Sequence, residues 1–478
     1  MKTISRQILN KNFALKVLLP DFEVYDYDRE FLIRAVNGAK TYLIKEKNVR
    51  AGQKIVLINN AWPFYLIWFL AASELGLSFV VSDYPRLSNS FSVQKKLSLY
   101  GSIDYVIGYP GQDIWNYFVD EESQKIDFMD YFSYSDEHKD EYWATEDSIL
   151  IYSTSSGSTG TPKVVAHDHK FFYDLALRNI GLYDLVEQDK CLHSKGLHHG
   201  SVTGVFFLPT IMACGYHYYA DIHNENSVPA EIWTDFVQRE QITRLFLMGD
   251  SLRSFSQHLS FFKRKHDNLN VYVLSSIDSD IIKSVVLQHK YSIHSIFGCT
   301  ETSGPLFLPS VTPENVQSFQ QTNMGSILDN FYHIEIDNEQ LLRVRMPNGD
   351  IVCTGDKFSV IDENYFYGGR KTLHRIGETT IYLNLLIEVI ENFLEKQHQD
   401  FFDIVLDNEA KKIWIRTDQY IKLTRLNRFL RREIIVPPHQ YAETYMIHGQ
   451  LVGKRSEFVT GIKFDPEEIR IRCRRINI

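Results

Sequence analysis

The most informative stretch of the chain reads Ser153-Thr154-Ser155-Ser156-Gly157-Ser158-Thr159-Gly160-Thr161-Pro162-Lys163. An apolar run at 148–152, typical of a buried strand, leads into it. Glycines let backbone N–H groups approach a polyphosphate closely, while hydroxyls and a lysine add hydrogen-bond donors. The stretch lacks the G-x-x-x-x-G-K-[ST] pattern of a Walker loop. A polar linker is the alternative, but a linker needs neither a buried strand before it nor a lysine at its end. The pattern therefore predicts a phosphate-binding loop.

The overall composition is that of a globular protein. With 478 residues, of which 44% are hydrophobic and 23% charged, the chain is neither disordered nor fibrous. Its net charge of −9 argues against binding nucleic acid through overall charge. The 5 cysteines are scattered without metal or redox spacing, which predicts a reducing, cytoplasmic location. Residues 1–12 lack a secretory core, and Ser73 and Glu74 interrupt the most apolar stretch, so we expect no membrane span.

Short apolar strands alternate with helical patterns along most of the chain. Residues 54–58 predict a strand, 63–74 a helix and 77–81 a second strand, which together form a βαβ unit. Such units indicate a parallel sheet with helices packed on its faces. Mostly continuous apolar runs, as expected for strands covered on both faces, recur at 105–107, 148–152, 244–247, 271–274 and 292–296.

The pattern changes past about residue 325. Alternating runs that indicate an antiparallel sheet or barrel lie at 332–336, 341–344 and 357–361. A compact α+β pattern begins at Arg370, with helical stripes at 386–394 and 422–432 and strands at 403–406, 413–416 and 444–447. The sequence thus predicts an α/β fold. A large N-terminal region of parallel and mixed sheets with helices on both faces, plus a small β subdomain, spans 1–369, and a mobile α+β C-terminal domain spans 370–478.

The serine- and glycine-rich loop resembles the phosphate-loop signature of the acyl-adenylate-forming superfamily. This superfamily comprises acyl- and aryl-CoA synthetases, peptide-synthetase adenylation domains and firefly-type luciferases. Val164 stands where a glycine often follows the Pro-Lys pair. The resemblance implies an AMP-forming enzyme that uses ATP and Mg²⁺ to activate a carboxylic acid as acyl-AMP, with release of pyrophosphate. The loop positions that would bind ATP are Ser155, Ser156, Gly157, Ser158, Thr159, Gly160 and Lys163.

A second motif follows the predicted strand at 292–296. It reads Phe297-Gly298-Cys299-Thr300-Glu301-Thr302 and is similar to the family's aromatic-Gly-x-Thr-Glu motif. By that resemblance Phe297 and Gly298 belong to the nucleotide site, with Phe297 against adenine. Thr300 would contact the α-phosphate, and Glu301 would hold Mg²⁺, an ion that prefers oxygen ligands. The alternatives are core packing for Phe297 and a solvated loop acid for Glu301.

Further nucleotide contacts are implied by the same resemblance. Thr354-Gly355-Asp356 and the later Arg370 are similar to the family's Thr-Gly-Asp motif and its downstream Gly-Arg. A carboxylate at Asp356 can accept hydrogen bonds from both ribose hydroxyls, and Arg370 would bind the ribose or a phosphate. A turn acid is the alternative for Asp356. Ser275 and Ser276, after the predicted strand at 271–274, are assigned to the nucleotide site and the adjoining pocket wall.

The catalytic lysine has two candidates. The family carries a lysine in a Gly-Lys pair near its C-terminus, and Gly453-Lys454 follows a predicted strand in a similar order. Lys454 would reach between the substrate carboxylate and the α-phosphate and offset the charge that builds up in the transition state. Lys463 is the rival, because His448 and Gln450 stand where the family has Pro and Thr.

The substrate side of the site carries histidines. Family members that load α-amino acids have an Asp in a Phe-Asp-x-Ser motif, whereas this chain reads Leu197-His198-His199-Gly200-Ser201. An ammonium buried without a carboxylate is unfavourable by several kcal/mol, so we expect an acid without an α-amino group. His199 would orient its carboxylate. The pocket residues implied by the resemblance are His198, His199, Val202, Met248, Gly249 and Gly304.

The acceptor of the acyl group would be a thiol, either coenzyme A or the phosphopantetheine of a separate acyl carrier protein. Two alternative functions stay open from the sequence: an amino-acid-activating adenylation enzyme, and a nucleotide-binding sensor or scaffold that has lost catalysis. His167-Asp168-His169 has no third ligand in sequence and predicts the start of a helix rather than a metal site.

Overall fold

The computed structural model describes residues 8, 11–19, 23–57, 62–81, 99–108, 124–134, 141–154, 164–194, 202–220, 228–258, 269–274, 279–320, 322–370, 373–376, 379–382, 402–407, 412–417 and 443–448. For residues 248–250, and from Arg370 onward, it describes the backbone alone.

The strands, numbered in chain order, are β1 Ala14–Leu18, β2 Val24–Asp28, β3 Lys54–Leu57, β4 Ser78–Val80, β5 Tyr105–Gly108, β6 Gln124–Asp127, β7 Ile149–Thr154, β8 Val164–Asp168, β9 Lys190–His193, β10 Tyr216–Ala220, β11 Arg244–Met248, β12 Asn270–Leu274, β13 Ser292–Ile296, β14 Ser310–Val311, β15 Asn323–Gly325, β16 His333–Ile336, β17 Leu341–Arg345, β18 Ile351–Ile361, β19 Asn364–Arg370, β20 Leu373–Ile376, β21 Thr379–Tyr382, β22 Phe402–Asp407, β23 Lys412–Thr417 and β24 Glu443–His448. The helices are α1 Arg29–Lys45, α2 Phe64–Glu74, α3 His169–Leu182, α4 Leu208–Ala213, α5 Ala230–Arg239, α6 Gly249–His258 and α7 Ser279–His289. A 3₁₀ turn spans Asp130–Tyr134, and a π-helical turn spans Thr203–Phe207.

The first sheet contains the predicted βαβ unit. Its strand order is β6-β5-β3-β4-β7-β8, and neighbouring strands run parallel except for β7 and β8. Helix α2 connects β3 to β4 and is buried from Tyr65 to Glu74, as its uniformly apolar sequence requires. The predicted strand-helix-strand order over 54–81 is confirmed. Thr154 pairs with Val164, so β7 and β8 flank the predicted phosphate loop, whose residues 155–163 lie outside the described part.

The second sheet has the order β14-β13-β12-β11-β9-β10-β1-β2. Its strands run parallel except for β14 and β2, which pair antiparallel at the two ends of that order. The predicted strands at 244–247, 271–274 and 292–296 are confirmed as β11, β12 and β13. The sequence did not indicate β1, β2, β9 or β10.

An antiparallel sheet of order β15-β19-β18-β17-β16 forms the small β subdomain. One face packs on the body of the protein, because Leu342, Val344 and Phe358 are buried in the same core as helix α2. The alternation predicted for 341–344 follows from this one-sided burial. The α/β fold with parallel and mixed sheets and a small β subdomain, predicted from the sequence, is confirmed.

Two compact units divide the chain, a large one that ends at Gly368 and a small one that continues from Gly369. In the small unit β22 pairs antiparallel with β23, which pairs parallel with β24. The strands predicted at 403–406, 413–416 and 444–447 are thereby confirmed. The predicted helices at 386–394 and 422–432 lie outside the described residues, and the mobility of this domain and its boundary at 369/370 stay predictions. Of the helices that are described, none combines the length and apolarity needed to cross a bilayer.

Two histidines are buried side by side in the second sheet. His193 Nε2 and His217 Nδ1 lie 3.4 Å apart, and the rings of Trp62 and Phe13 stack on them. Burial lowers the pKa of His217 to about 4, and burial and the neighbouring histidine lower that of His193 well below its usual value. Both histidines are therefore neutral in the folded protein at neutral pH.

This burial predicts an acid-sensitive fold. An unfolded chain takes up a proton on His217 below about pH 6.5, whereas the folded chain does not until about pH 4. The free energy of unfolding should therefore fall over that range, and the lowered pKa of His193 acts in the same direction. His217→Asn should make the fall shallower, by up to about 3 kcal/mol at pH 4. Urea unfolding at fixed pH values measures the slope. His333→Asn, at an exposed histidine, is the control. An equal dependence of the free energy of unfolding on pH in the wild type and both variants would contradict the assignment to His217.

Candidate active site

The carboxyl ends of the parallel strands in the second sheet bring the predicted site segments to one edge. Residues 297–301 follow β13, 275–276 follow β12, and Met248 and Gly249 lie at the junction of β11 and α6. Ligands of open α/β sheets bind at this edge, beyond the carboxyl ends of the strands. The topology therefore agrees with a site assembled from these segments.

Residues Cys299–Gly304 form a closely hydrogen-bonded turn, which we call the Thr-Glu turn. Thr302 Oγ1 donates to the carbonyl oxygens of Cys299 and Gly304, each at 3.0 Å. The Ser303 amide lies 3.2 Å from the Thr300 carbonyl, and the Ser303 hydroxyl donates to that carbonyl at 3.1 Å. These bonds fix the backbone that carries Thr300 and the half-buried Glu301.

Glycines permit the backbone contacts around this turn. A Cβ atom at Gly298 would lie 2.4 Å from the Gly304 carbonyl oxygen, and one at Gly204 would lie 2.1 Å from the Ser303 carbonyl oxygen. A Cβ at Gly304 would lie 2.6 Å from Leu175 Cδ1. Because two of the clashes are with backbone, the turn would have to move to admit any side chain there.

Asp356 lies on a bulge of β18. Strand β17 pairs regularly with β18 as far as Cys353 and again from Lys357, so residues 354–356 together oppose Leu342. Gly355 has a φ of +75°, a conformation that favours glycine. Bulges bend a strand and re-aim its side chains. The Thr-Gly-Asp motif is thus a local departure from strand geometry.

The bulge is closed by the side chain of Thr354. Its Oγ1 donates to the Leu342 carbonyl at 3.3 Å and accepts from the Asp356 amide at 3.1 Å. Asp356 is only 4% exposed. The assignment of Asp356 as a ribose ligand stays a prediction, as does the alternative of a turn acid.

The two motifs meet in one region of the fold. The ring of Phe297, which begins the first motif, lies 5.4 Å from that of Phe358, two residues after Asp356. Phe358 is buried, so this contact belongs to the core. Burial is the main cause that raises the pKa of the Cys299 thiol to about 12, and the charge of Glu301 adds to it.

This region suits a magnesium nucleotide. Oxygen ligands such as the Glu301 carboxylate are those that Mg²⁺ prefers, and the ion usually completes its shell with phosphates and water. Among the residues with described side chains, no three His, Cys, Asp or Glu residues gather into a metal site.

Phe297 lies half-buried among other aromatic rings. Its ring centroid is 5.4 Å from that of Phe358, 5.5 Å from Tyr367 and 6.0 Å from Phe307. The packing that we considered as an alternative is thus present. Contact with adenine stays a prediction for the remaining face.

Among the predicted pocket residues, Val202 has a side chain that the structure describes. It is 4% exposed and belongs to a buried cluster with Phe206, Phe246, Tyr272 and Ile296. Its place in an acid-binding pocket stays a prediction.

Most of the other predicted site residues lie outside the part of the chain that the structure describes. The backbone of Met248, Gly249 and Arg370 is placed, without their side chains. Residues outside the described part are Ser155, Ser156, Gly157, Ser158, Thr159, Gly160, Lys163, His198, His199, Ser275, Ser276, Lys454 and Lys463. Their roles stay predictions.

The helix predicted to begin at His167-Asp168-His169 is confirmed as α3. Asp168 caps it, with Oδ1 accepting from the Phe171 amide at 2.7 Å. The His167 ring stacks on Phe171, and burial lowers its pKa to about 4, partly opposed by a hydrogen bond to the backbone of Glu301. The sequence did not indicate that His167 contacts the Thr-Glu turn.

Arg178 and Tyr332 also contact the turn region and were not anticipated. Arg178 Nη1 donates to the Pro305 carbonyl at 2.9 Å, and the Tyr332 hydroxyl donates to the Thr302 carbonyl at 2.7 Å. Neither residue belongs to a motif, and both bonds join segments far apart in sequence.

Comparison with known proteins tests the resemblance. The family model described as AMP-binding enzyme matches residues 106–358, more than half of the chain. The chain is 26% identical over 248 residues to acetyl-coenzyme A synthetase from Cryptosporidium parvum. That match covers 48% of this chain and 33% of the synthetase, so the chain spans about a third of that relative's length.

Solved structures share the fold. o-Succinylbenzoate CoA synthetase from Bacillus subtilis, bound to a product analogue, matches with a TM-score of 0.74 at 14% identity, over 97% of this chain and 99% of that chain. A structure of the same synthetase with ATP and a magnesium ion has a TM-score of 0.65 at 14% identity, over 93% of this chain and 95% of that chain. McyG A-PCP complexed with phenylalanyl-adenylate has a TM-score of 0.67 at 14% identity, over 100% of this chain and 98% of that chain. The match over 106–358 takes in both the Thr-Glu turn and Asp356, and the chain belongs to the AMP-binding enzyme family.

Proposed function

We propose that this protein is an AMP-forming ligase that activates a carboxylic acid as acyl-AMP. The observation that carries the proposal is the packing of the motif that contains Glu301 on the one that contains Asp356, with the rings of Phe297 and Phe358 5.4 Å apart beyond the carboxyl end of β13. One carboxylate can serve the ribose and the other a metal bound to phosphates. A ribose ligand and a metal ligand at one edge of an α/β sheet suit a nucleoside triphosphate.

In the proposed reaction a carboxylate oxygen of the acid attacks the α-phosphorus of ATP. The new bond joins the acyl oxygen to the α-phosphorus, and the bond to the β-phosphate oxygen breaks to release pyrophosphate. Thr300 would orient the α-phosphate, and Asp356 would accept hydrogen bonds from the ribose hydroxyls. Mg²⁺ held by Glu301 would neutralise charge on the phosphates when bound. The loop from Ser155 to Lys163 would hold the β- and γ-phosphates through backbone amides.

We assign the remaining roles on sequence grounds. Lys454 would offset the negative charge that accumulates as two anions come together. His199 would orient the acid's carboxylate, and Arg370 would bind the ribose or a phosphate. The domain at 370–478 would move to bring Lys454 to the site and then to admit the second substrate.

The proposed acid has no α-amino group. Its support is the sequence His198-His199, which stands where an acidic residue would pair with an ammonium. In the described part of the chain the buried carboxylates are Glu74, Asp189 and Asp356. Glu74 is paired with Lys40 and Asp189 with Arg244, so neither is available to a substrate.

The acceptor would be a thiol, either of coenzyme A or of phosphopantetheine on a separate acyl carrier protein. The synthetase relatives named above support the first, and the McyG A-PCP structure, which shares the fold, supports considering the second. Transfer would form a thioester and release AMP. A cytoplasmic location, inferred from the cysteine pattern, would give the enzyme access to both acceptors.

Pyrophosphate exchange into ATP tests the proposal. We expect a panel of aliphatic, aryl and amino acids to contain at least one acid without an α-amino group that drives exchange in the presence of Mg²⁺. Thioester formation is then followed with coenzyme A and with a carrier protein in parallel. Exchange driven solely by amino acids would transfer the assignment to an amino-acid-loading enzyme, and ATP binding without exchange by any acid would contradict adenylation.

A further inference from the structure

We propose that Arg178 and Tyr332 are positioning residues. They hold the backbone of the Thr-Glu turn in the position that the rest of the site requires. The inference rests on the proposed function, since it concerns how Thr300 and Glu301 are placed. Neither residue would touch the substrates. Their contribution would be made through the carbonyl groups of the turn and of the residue that follows it.

Arg178 makes a set of directed contacts from helix α3. Its Nε donates to Asp329 Oδ2 at 2.6 Å, and its Nη1 donates to the Pro305 carbonyl at 2.9 Å. The guanidinium also lies over the rings of Phe331 and Tyr332, at 5.3 and 5.0 Å from their centroids. The side chain is 8% exposed. A planar, multiply bonded guanidinium of this kind has little freedom to move, and lysine cannot reproduce its geometry.

Tyr332, the residue before β16, holds a second carbonyl of the turn. Its hydroxyl donates to the Thr302 carbonyl at 2.7 Å and lies 3.0 Å from the position that a Cβ would occupy on Gly304. The side chain is buried next to Arg178. The carbonyls of Thr302 and Pro305 are therefore both held from outside the turn, by two side chains that pack on each other.

The location of the pair gives it a function beyond packing. Helix α3 begins directly after β8, which follows the predicted phosphate loop, and Tyr332 directly precedes β16 of the antiparallel sheet that carries Asp356. Arg178 and Tyr332 thus join the Thr-Glu turn to helix α3 and to the segment that leads into this antiparallel sheet. Displacing a reacting group by about 1 Å can lower a rate by roughly 100-fold.

The experiment compares Arg178→Lys and Tyr332→Phe with matched controls. Arg244, the first residue of β11, also forms an ion pair, with its Nε 3.1 Å from Asp189 Oδ2. The Tyr105 hydroxyl donates to the Lys47 carbonyl at 3.2 Å. Neither contact involves the Thr-Glu turn. We expect the two test variants to lower kcat for pyrophosphate exchange by roughly 10- to 100-fold and to need more Mg²⁺ for half-maximal rate. Arg244→Lys and Tyr105→Phe should lower Tm to a similar degree without either kinetic change.

Hydrogen exchange at the amides of residues 299–304 provides a readout that needs no acid substrate. Faster exchange there in both test variants, and not in the controls, is expected even if adenylation itself were wrongly assigned. Unchanged exchange at the turn, or kinetic losses no greater than those of the controls at equal Tm, would overturn the positioning role. Tyr332→Phe removes one hydroxyl and keeps the buried ring. If Arg178→Lys does not fold, the test can therefore rest on Tyr332→Phe.

Discussion

Lys454→Ala should lower the rate of pyrophosphate exchange by roughly 100- to 1,000-fold, the loss typical of removing one group that stabilises transition-state charge. The carboxylate of the acid and the α-phosphate are both anionic, and the charge is most concentrated as they meet. A lysine placed between them acts mainly at that stage. ATP affinity should stay nearly unchanged, because the proposed contacts to ribose, phosphates and adenine come from residues before 371. Exchange kinetics and equilibrium binding of ATP measure the two effects separately.

Lys463→Ala is the matched control, since the sequence leaves this lysine as the rival candidate. We expect it to retain exchange close to the wild-type rate. A large loss in Lys463→Ala with normal activity in Lys454→Ala would transfer the role to Lys463. Normal activity in both variants would contradict the proposal that a lysine of the C-terminal domain takes part in adenylation.

Asp356→Asn should weaken ATP binding by roughly 10-fold or more, since charge-assisted hydrogen bonds contribute about 1.5–3 kcal/mol each. Asparagine keeps the size of the side chain, and the Thr354 bonds that close the bulge do not involve the carboxylate. Titration with ATP measures the loss of affinity, and chemical unfolding shows whether the variant is as stable as the wild type.

Asp350→Asn provides the control for that substitution. Asp350 is exposed and immediately precedes β18, the strand that carries Asp356. It should bind ATP as the wild type does. Equal ATP affinity in Asp356→Asn and the wild type would remove Asp356 from the nucleotide site, and an equal loss in the Asp350 variant would indicate a general effect of charge.

The fold was predictable for those helices and strands whose burial shows as a run of apolar residues. Helix α2 lies buried on all sides, and its continuous apolar run between β3 and β4 indicated the βαβ unit directly. Strands β9 and β10 escaped prediction because they bury histidines, His193 and His217, by stacking them on aromatic rings of other elements. No local pattern distinguishes such a histidine from an exposed one.

The candidate site, too, was predictable only in part. The motifs that contain Glu301 and Asp356 were visible in the sequence, but the contact between them, Phe297 against Phe358, depends on the packing of the antiparallel sheet on the body of the protein. Arg178 was not predictable, because its partners Pro305 and Asp329 lie 127 and 151 residues away. Contacts of that range arise from the packing of α3 on the turn and leave no local signal.

A crystal structure with Mg²⁺ and a non-hydrolysable ATP analogue tests the central claim most directly. We predict the ribose hydroxyls within hydrogen-bond distance of Asp356, a metal ion bound by Glu301, and the phosphates against residues 155–163. A nucleotide bound elsewhere, or one that contacts a single carboxylate while the other faces a separate cavity, would contradict the account.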